Sequence, residues 1–170
     1  MLDLLRNRRS IRRYEPREVE PAFVEQLKEA VLRAPSSRNL RPTRFYFVTD
    51  RERLADLAHA KSAYGEWLAK APLGVVVCGD ESVSDCWIED CSIAAAFLQL
   101  MASSLGLGSC WVQIRARMHA DGRPAEDHVR ESLELPDGLR VLCVVALGHP
   151  AERKDAIAAD ALGWDRIADI

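Results

Sequence analysis

The chain has 170 residues, of which 48% are hydrophobic and 29% charged, and its formal net charge is −3. This is ordinary globular usage in a chain long enough to bury a core, most simply as one domain. The acidic total excludes a molecule built as a whole to embrace polyanions.

In chain order, residues 2–8 read as a short helix and residues 9–18 as an irregular segment, with Pro16 as a breaker. Glu20-Pro21 opens a second helix, since proline suits the first turn, and Phe23, Val24, Leu27, Ala30, Val31 and Ala34 give it one apolar stripe. Residues 35–42 form a loop bounded by prolines. A strand is expected over 45–49, and helices over 51–59 and 62–69. Residues 73–78 are a continuous apolar strand, the pattern of a strand covered on both faces. Residues 87–105 make a long central helix, apolar nearly all round through Ile93, Ala94, Ala95, Ala96, Phe97, Leu98 and Leu100. A helix with no wet face must pack on several sides. Further strands are expected over 109–114 and 140–147, with a helix over 125–133 between them.

Residues 91–114 carry no formal charge, which is long enough to suggest a membrane span. The Ser103-Ser104-Leu105-Gly106-Leu107-Gly108 break, with Gln99 and Gln113, points instead to a buried helix, a turn and a buried strand. Helices mixed with about four strands give an α/β or α+β class. The tail after Pro150 lacks a strong core pattern, yet Leu162, Trp164 and Ile167 must bury something. A second copy of the chain in a two-fold dimer would cover both the tail and the apolar helix.

Four constellations could carry chemistry. The first is Arg8-Arg9-Ser10-Ile11-Arg12-Arg13-Tyr14, flanked by Arg6 and Arg17. Guanidinium groups and a serine hydroxyl suit a phosphate. The same charges also fit a solvated basic face, or pairing with Glu15, Glu18 and Glu20. A nucleic-acid arm is weakened by the acidic total and the single aromatic. The second is the Pro35-Ser36-Ser37-Arg38-Asn39 loop, which alone signals no more than a turn. In the third, Gly106-Leu107-Gly108-Ser109-Cys110-Trp111-Val112-Gln113-Ile114, the glycines close a helix and open a strand. That is the reverse of a dinucleotide fingerprint, so Gly106 reads as a helix C-terminal cap. The fourth is the Gly148-His149-Pro150-Ala151-Glu152-Arg153-Lys154 turn, whose lone histidine reads as structural. Cys78, Cys86, Cys91, Cys110 and Cys143 form no CxxC pair and read as buried free thiols, with no metal site. No secretory signal opens the chain, so a cytoplasmic location is expected.

Together and in this order, the pieces RRSIRRY, APSSRNLRPTRFYFV, LGLGSCWVQ and ALGHPAERK resemble the nitroreductase family of flavoenzymes, over about residues 2–154. The tail LGWDRI also resembles the ending of short family members. The resemblance implies an α+β fold, with a mostly antiparallel sheet of four to five strands wrapped by helices in an intertwined homodimer. It implies a 1–154 FMN-binding domain and a 155–170 tail packed on the partner. FMN would lie at the subunit interface. Arg8, Ser10 and Lys154, helped by Arg153, would hold its phosphate. Arg9 and Arg12 would lie near its ribityl chain or pyrimidine edge. Pro35, Ser36, Ser37 and Asn39 would come from the other subunit. Gln113 and Ile114 would bring backbone N–H groups near flavin N5.

The implied reaction takes hydride from NADH or NADPH through N5 to a small acceptor, a nitroaromatic or a quinone, with ping-pong kinetics and no catalytic side chain. Competing readings are a flavin-binding redox sensor or carrier and a nucleic-acid-binding protein. Arg41-Pro42-Thr43 departs from the family's Gln-Pro-Trp, Tyr64-Gly65-Glu66-Trp67 departs from its asparagine and lysine ring contacts, and Gln113 stands where some members have glutamate.

Overall fold

The computed structural model describes residues 1–63 and 65–170. Its centre is one sheet of four strands, β1 (Thr43–Val48), β2 (Leu73–Asp80), β3 (Gly108–Gln113) and β4 (Leu139–Gly148), in the order β1-β2-β4-β3. Every neighbouring pair is antiparallel. The class is therefore α+β. The helices are α1 (Leu2–Asn7), α2 (Pro21–Leu32), α3 (Arg51–Ala58), α4 (Trp87–Ser104) and α5 (Ala125–Ser132).

The apolar runs in β2 and β4 follow from cover on both faces of the sheet. Val75 and Val77 join Leu27, Val31, Trp87, Ala95 and Leu98 under α2 and α4. Val76 and Cys78 turn to the other face, with Leu54, Leu57, Leu68, Ala125 and Val129 from α3, α5 and a 3₁₀ helix at Glu66–Lys70. Each fully buried leucine or valine stabilises this arrangement by about 1.5–3 kcal/mol.

The β2–β4 register shifts between Val77 and Cys78, which leaves Leu142 as an extra residue in β4. Leu142 and Cys143 consequently face the same side of the sheet. The N–H of Val141, beside the bulge, donates to Glu126 Oε1 at 2.8 Å, and Arg140 Nε reaches the same oxygen at 2.8 Å.

Most elements match the sequence-based expectation within two residues. Among the described residues of the span 62–69 the expected α-helix does not form, and a 3₁₀ helix, Glu66–Lys70, stands there. Gly65 lies so close to α3 that an added Cβ would stand 2.7 Å from the Ala58 carbonyl oxygen, so the chain crosses α3 here and starts a separate turn. Tyr64 lies outside the described residues. The long helix is also less enclosed than its composition predicts: Ile93 and Phe97 are each 39% exposed in the single chain. The tail forms two single 3₁₀ turns, Ala159–Ala161 and Trp164–Arg166, with Leu162, Trp164 and Ile167 exposed. No helix among the described residues is long and apolar enough to cross a membrane.

Candidate functional site

β3 is an edge strand, and the arginine-rich segment is laid along the first half of that edge. Ile11 donates its backbone N–H to Ser109 O at 2.9 Å, and Ser10 forms a parallel bridge with Ser109. Tyr14 then bridges to Pro150, and the Ala151 N–H donates to Arg13 O at 2.9 Å. The glycines make this contact possible. A Cβ on Gly108 would stand 2.7 Å from Ile11 Cγ2, and one on Gly148 would stand 2.5 Å from Pro72 Cδ and 3.1 Å from Tyr14 Cδ1. Gly106 caps α4 as expected. At φ +75° it donates to Ser103 O at 3.1 Å, while Leu107 donates to Ala102 O at 2.8 Å, which is a Schellman motif.

Docking the segment there brings cations from both ends of the chain to one cleft of about 380 Å³. Arg8, Arg9, Arg153 and Lys154 line it with Ser103, Gly106, Gly108 and Ser109. Lys154 Nζ donates to Ser10 O at 2.6 Å, and Arg9 donates to Asp155 O. Glu152 accepts the Arg12 N–H at 2.6 Å and pairs with Lys154 at 3.4 Å. Its carboxyl is held below the usual range first by the Arg12 backbone N–H and then by Lys154. Among the described residues, Arg17 pairs with Glu20 and Arg6 with Asp3, while no ion pair reaches Glu15 or Glu18. Glu20 also takes His149 Nε2 at 3.0 Å, which makes His149 a tie between β4 and α2.

The second half of the edge is open. Ser109 gives its carbonyl to Ile11, and Ile114 gives its N–H to Leu142 O at 3.2 Å. Antiparallel alternation therefore turns the backbone groups of Trp111 and Gln113 outward. Of the two residues expected to offer a free N–H, Gln113 stands at the open edge and Ile114, fully buried, does not. The Gln113 side chain is itself fixed: it accepts Trp111 Nε1–H at 2.8 Å and donates to Arg115 O at 2.8 Å. About 14 Å of strand separates Ser109 from Gln113, at the usual rise. Cys110, between them, is 1% exposed and points into the core. Burial pushes its thiol up, outweighing the opposing pull of Arg12 and Lys154, so it is not a thiolate nucleophile.

The Pro35–Asn39 loop is elsewhere. Ser37 donates its N–H to Asp90 Oδ1 at 2.7 Å, Ser36 Oγ accepts from Arg41 N at 3.0 Å, and Asn39 Oδ1 accepts from Arg41 Nε at 2.9 Å. Arg38, Asn39 and Arg41 have φ of 51°, 55° and 50°, conformations that cost non-glycine residues about 1–2 kcal/mol each. Asp90, 3% exposed, is the clamp; an acid inside an apolar helix was its one sequence signal. Asp90 lies in the first turns of α4 and Ser103 at its end, so loop and cleft are about 20 Å apart along the helix. Within one chain they do not form a single site.

This order of parts is shared with known proteins. The sequence pattern of the Nitroreductase family matches residues 5–149. The chain belongs to the nitroreductase family. Among solved structures, this nitroreductase-family chain superposes on an FMN-dependent nitroreductase from Clostridium difficile with a TM-score of 0.97, at 40% identity over 99% of this chain and 98% of the other. It is 36% identical over 166 residues, 94% of this chain and 90% of the relative, to an Archaeoglobus fulgidus protein with the provisional name NADH dehydrogenase/NAD(P)H nitroreductase. It is 32% identical to an FMN reductase (NAD(P)H) of Bacillus subtilis, covering 88% of this chain and 65% of that protein.

Proposed function

We propose that this chain is an NAD(P)H-dependent oxidoreductase that binds FMN between two copies of itself and reduces a small acceptor such as a nitroaromatic or a quinone. The observation that carries the reading is the cationic cleft at the head of an open strand edge. Arg8, Arg9, Arg153 and Lys154 suit a doubly charged phosphate, and the outward Gln113 N–H lies farther along the same edge. The distance between cleft and loop supports a shared site, because Pro35, Ser36, Ser37 and Asn39 can complete it only from a second copy. The exposed Ile93 and Phe97 of α4, and the exposed Leu162, Trp164 and Ile167 of the 155–170 tail, supply apolar surface for that pairing.

FMN, when bound, supplies hydride acceptance and release at its N5 atom. The protein's part is positioning and charge. Arg8, Ser10, Arg153 and Lys154 hold the phosphate. Arg12 presents a cation that stabilises negative charge on the pyrimidine edge of the reduced ring. Gln113 offers its backbone N–H toward the reacting edge. Donor and acceptor take turns on one open face, which gives ping-pong kinetics.

The test is an absorbance spectrum of the purified protein after addition of FMN. Bands of protein-bound oxidised flavin that bleach within seconds of adding NADH or NADPH, and return with a quinone, are expected. A yellow protein that never bleaches would be a flavin carrier, and a colourless one would end the reading.

A further inference from the structure

Arg12 is a buttressed cation. Its backbone N–H is taken by Glu152, but among the described residues no carboxylate pairs with its guanidinium. The guanidinium instead lies over the indole of Trp67, with Cζ 4.9 Å from the ring centroid. An ion pair would cancel the charge that the site needs. An aromatic face holds the same cation in place while its N–H donors stay free around its edge.

The ring is itself well fixed. Trp67 lies in the 3₁₀ helix Glu66–Lys70, packed against the α3 and α5 core. Leu68, beside it, is fully buried and donates its N–H to Gly65 O at 2.9 Å. Gly65 in turn sits against Ala58 O. The indole Nε1–H is shielded from solvent and has no acceptor among the described residues, so packing alone orients the ring. Arg12, Trp67, Glu152 and Lys154 together line an open cleft of about 670 Å³, which shares Glu152 and Lys154 with the cleft of Arg8 and Arg153.

We infer that Trp67 is the positioning residue of the proposed flavin site: its indole face aims the unneutralised Arg12 guanidinium at the ligand's electron-accepting edge and so raises the potential of the bound flavin. The inference rests on the FMN reading above and goes beyond it by naming a residue that touches neither the phosphate cleft nor the strand edge.

The experiment is a two-by-two set, wild type, Trp67→Leu, Arg12→Ala and the double variant, with Trp67→Phe as the conservative control. FMN affinity and the reduction potential of bound FMN are measured for each. Trp67→Leu is expected to lower the ratio of reduced to oxidised FMN affinity about ten-fold, which is about 30 mV for a two-electron couple. Trp67→Phe keeps an aromatic face and loses no hydrogen bond, so it is expected to stay close to wild type. In the Arg12→Ala background, removal of Trp67 should change nothing further. An unchanged potential in Trp67→Leu, a Phe variant as low as the Leu variant, or an equal drop without Arg12 would each overturn the inference and leave the FMN reading standing. A wild-type protein that binds no FMN would overturn both. Should Trp67→Leu fail to fold, Trp67→Met, which also removes the aromatic face, is read in its place with and without Arg12, and an unchanged potential there overturns the inference.

Discussion

Glu152 and Asp155 also line the cleft but are outnumbered by Arg8, Arg9, Arg153 and Lys154, and one of the bonds of Glu152 goes to the Arg12 backbone N–H. The arginine segment is thus pinned by its main chain, and its side chains remain for a ligand. Replacing Arg8 and Ser10 together with alanine removes a cation that lines the cleft and the hydroxyl of the residue whose carbonyl takes Lys154, the pair proposed to hold the FMN phosphate. FMN affinity is expected to fall at least ten-fold, about 1.4 kcal/mol, in a fluorescence-quenching titration. Affinity equal to wild type would detach this segment from the flavin.

Glu20 shows a different use of charge. Its own backbone N–H, then Arg17 and His149, lower its carboxyl from the ordinary 4.5 to about 2. A group depressed in the folded state stabilises fully above its unfolded value and loses that contribution as pH falls through its folded one. The denaturation midpoint of the wild type is therefore expected to drop more between pH 4.5 and about 2 than that of Glu20→Gln. Parallel profiles would rule this ion pair out as a source of acid sensitivity.

Among the elements, β3 and the turn before it do most to build the site. The Schellman end of α4 redirects the chain, Gly108 admits Ile11, and the edge strand then receives the arginines. Gly108→Ala places a methyl 2.7 Å from Ile11 Cγ2 and 2.8 Å from Ile11 Cβ, which no flexible side-chain tip can relieve. The segment must shift, at a cost of about 1–3 kcal/mol in urea denaturation, and FMN affinity should fall with it. A variant with wild-type stability and affinity would show that the cleft does not depend on this contact.

Much of this was legible beforehand. The GLG run is legible as a helix end because glycine order distinguishes a cap from a phosphate loop. The 3₁₀ helix at Glu66–Lys70 is not, because its five residues hold no helical repeat and its shape depends on Gly65 meeting Ala58. Trp67 stands out in the sequence only as part of the Tyr64-Gly65-Glu66-Trp67 departure from the family pattern, and nothing near it in the chain points to Arg12. Ile114 does not serve as an edge donor, because strict alternation along β3 turns its N–H inward to Leu142 O, a parity set by where the arginine segment docks on Ser109.

At the scale of the molecule, α4 separates the two halves of the proposed site and carries the exposed Ile93 and Phe97 that would reunite them across a dimer. Phe97→Glu puts a charge in the middle of that apolar face. The protein is expected to elute as a monomer in light-scattering chromatography and to lose FMN binding in the same step. A dimeric, flavin-binding variant would move the interface elsewhere.

The sequence by itself determined a mixed helix-and-strand class, most of the helices and strands and the cationic segment, because periodicity, caps and clustered charges are local properties of neighbouring residues, and the order of its four motifs carried the family resemblance. Only the tertiary structure decided the strand order, the removal of the serine loop to the opposite end of α4, and the resting of Arg12 on Trp67. Those depend on contacts between residues tens of positions apart, whose formation is governed by how both faces of the sheet are packed and not by any pattern within one segment.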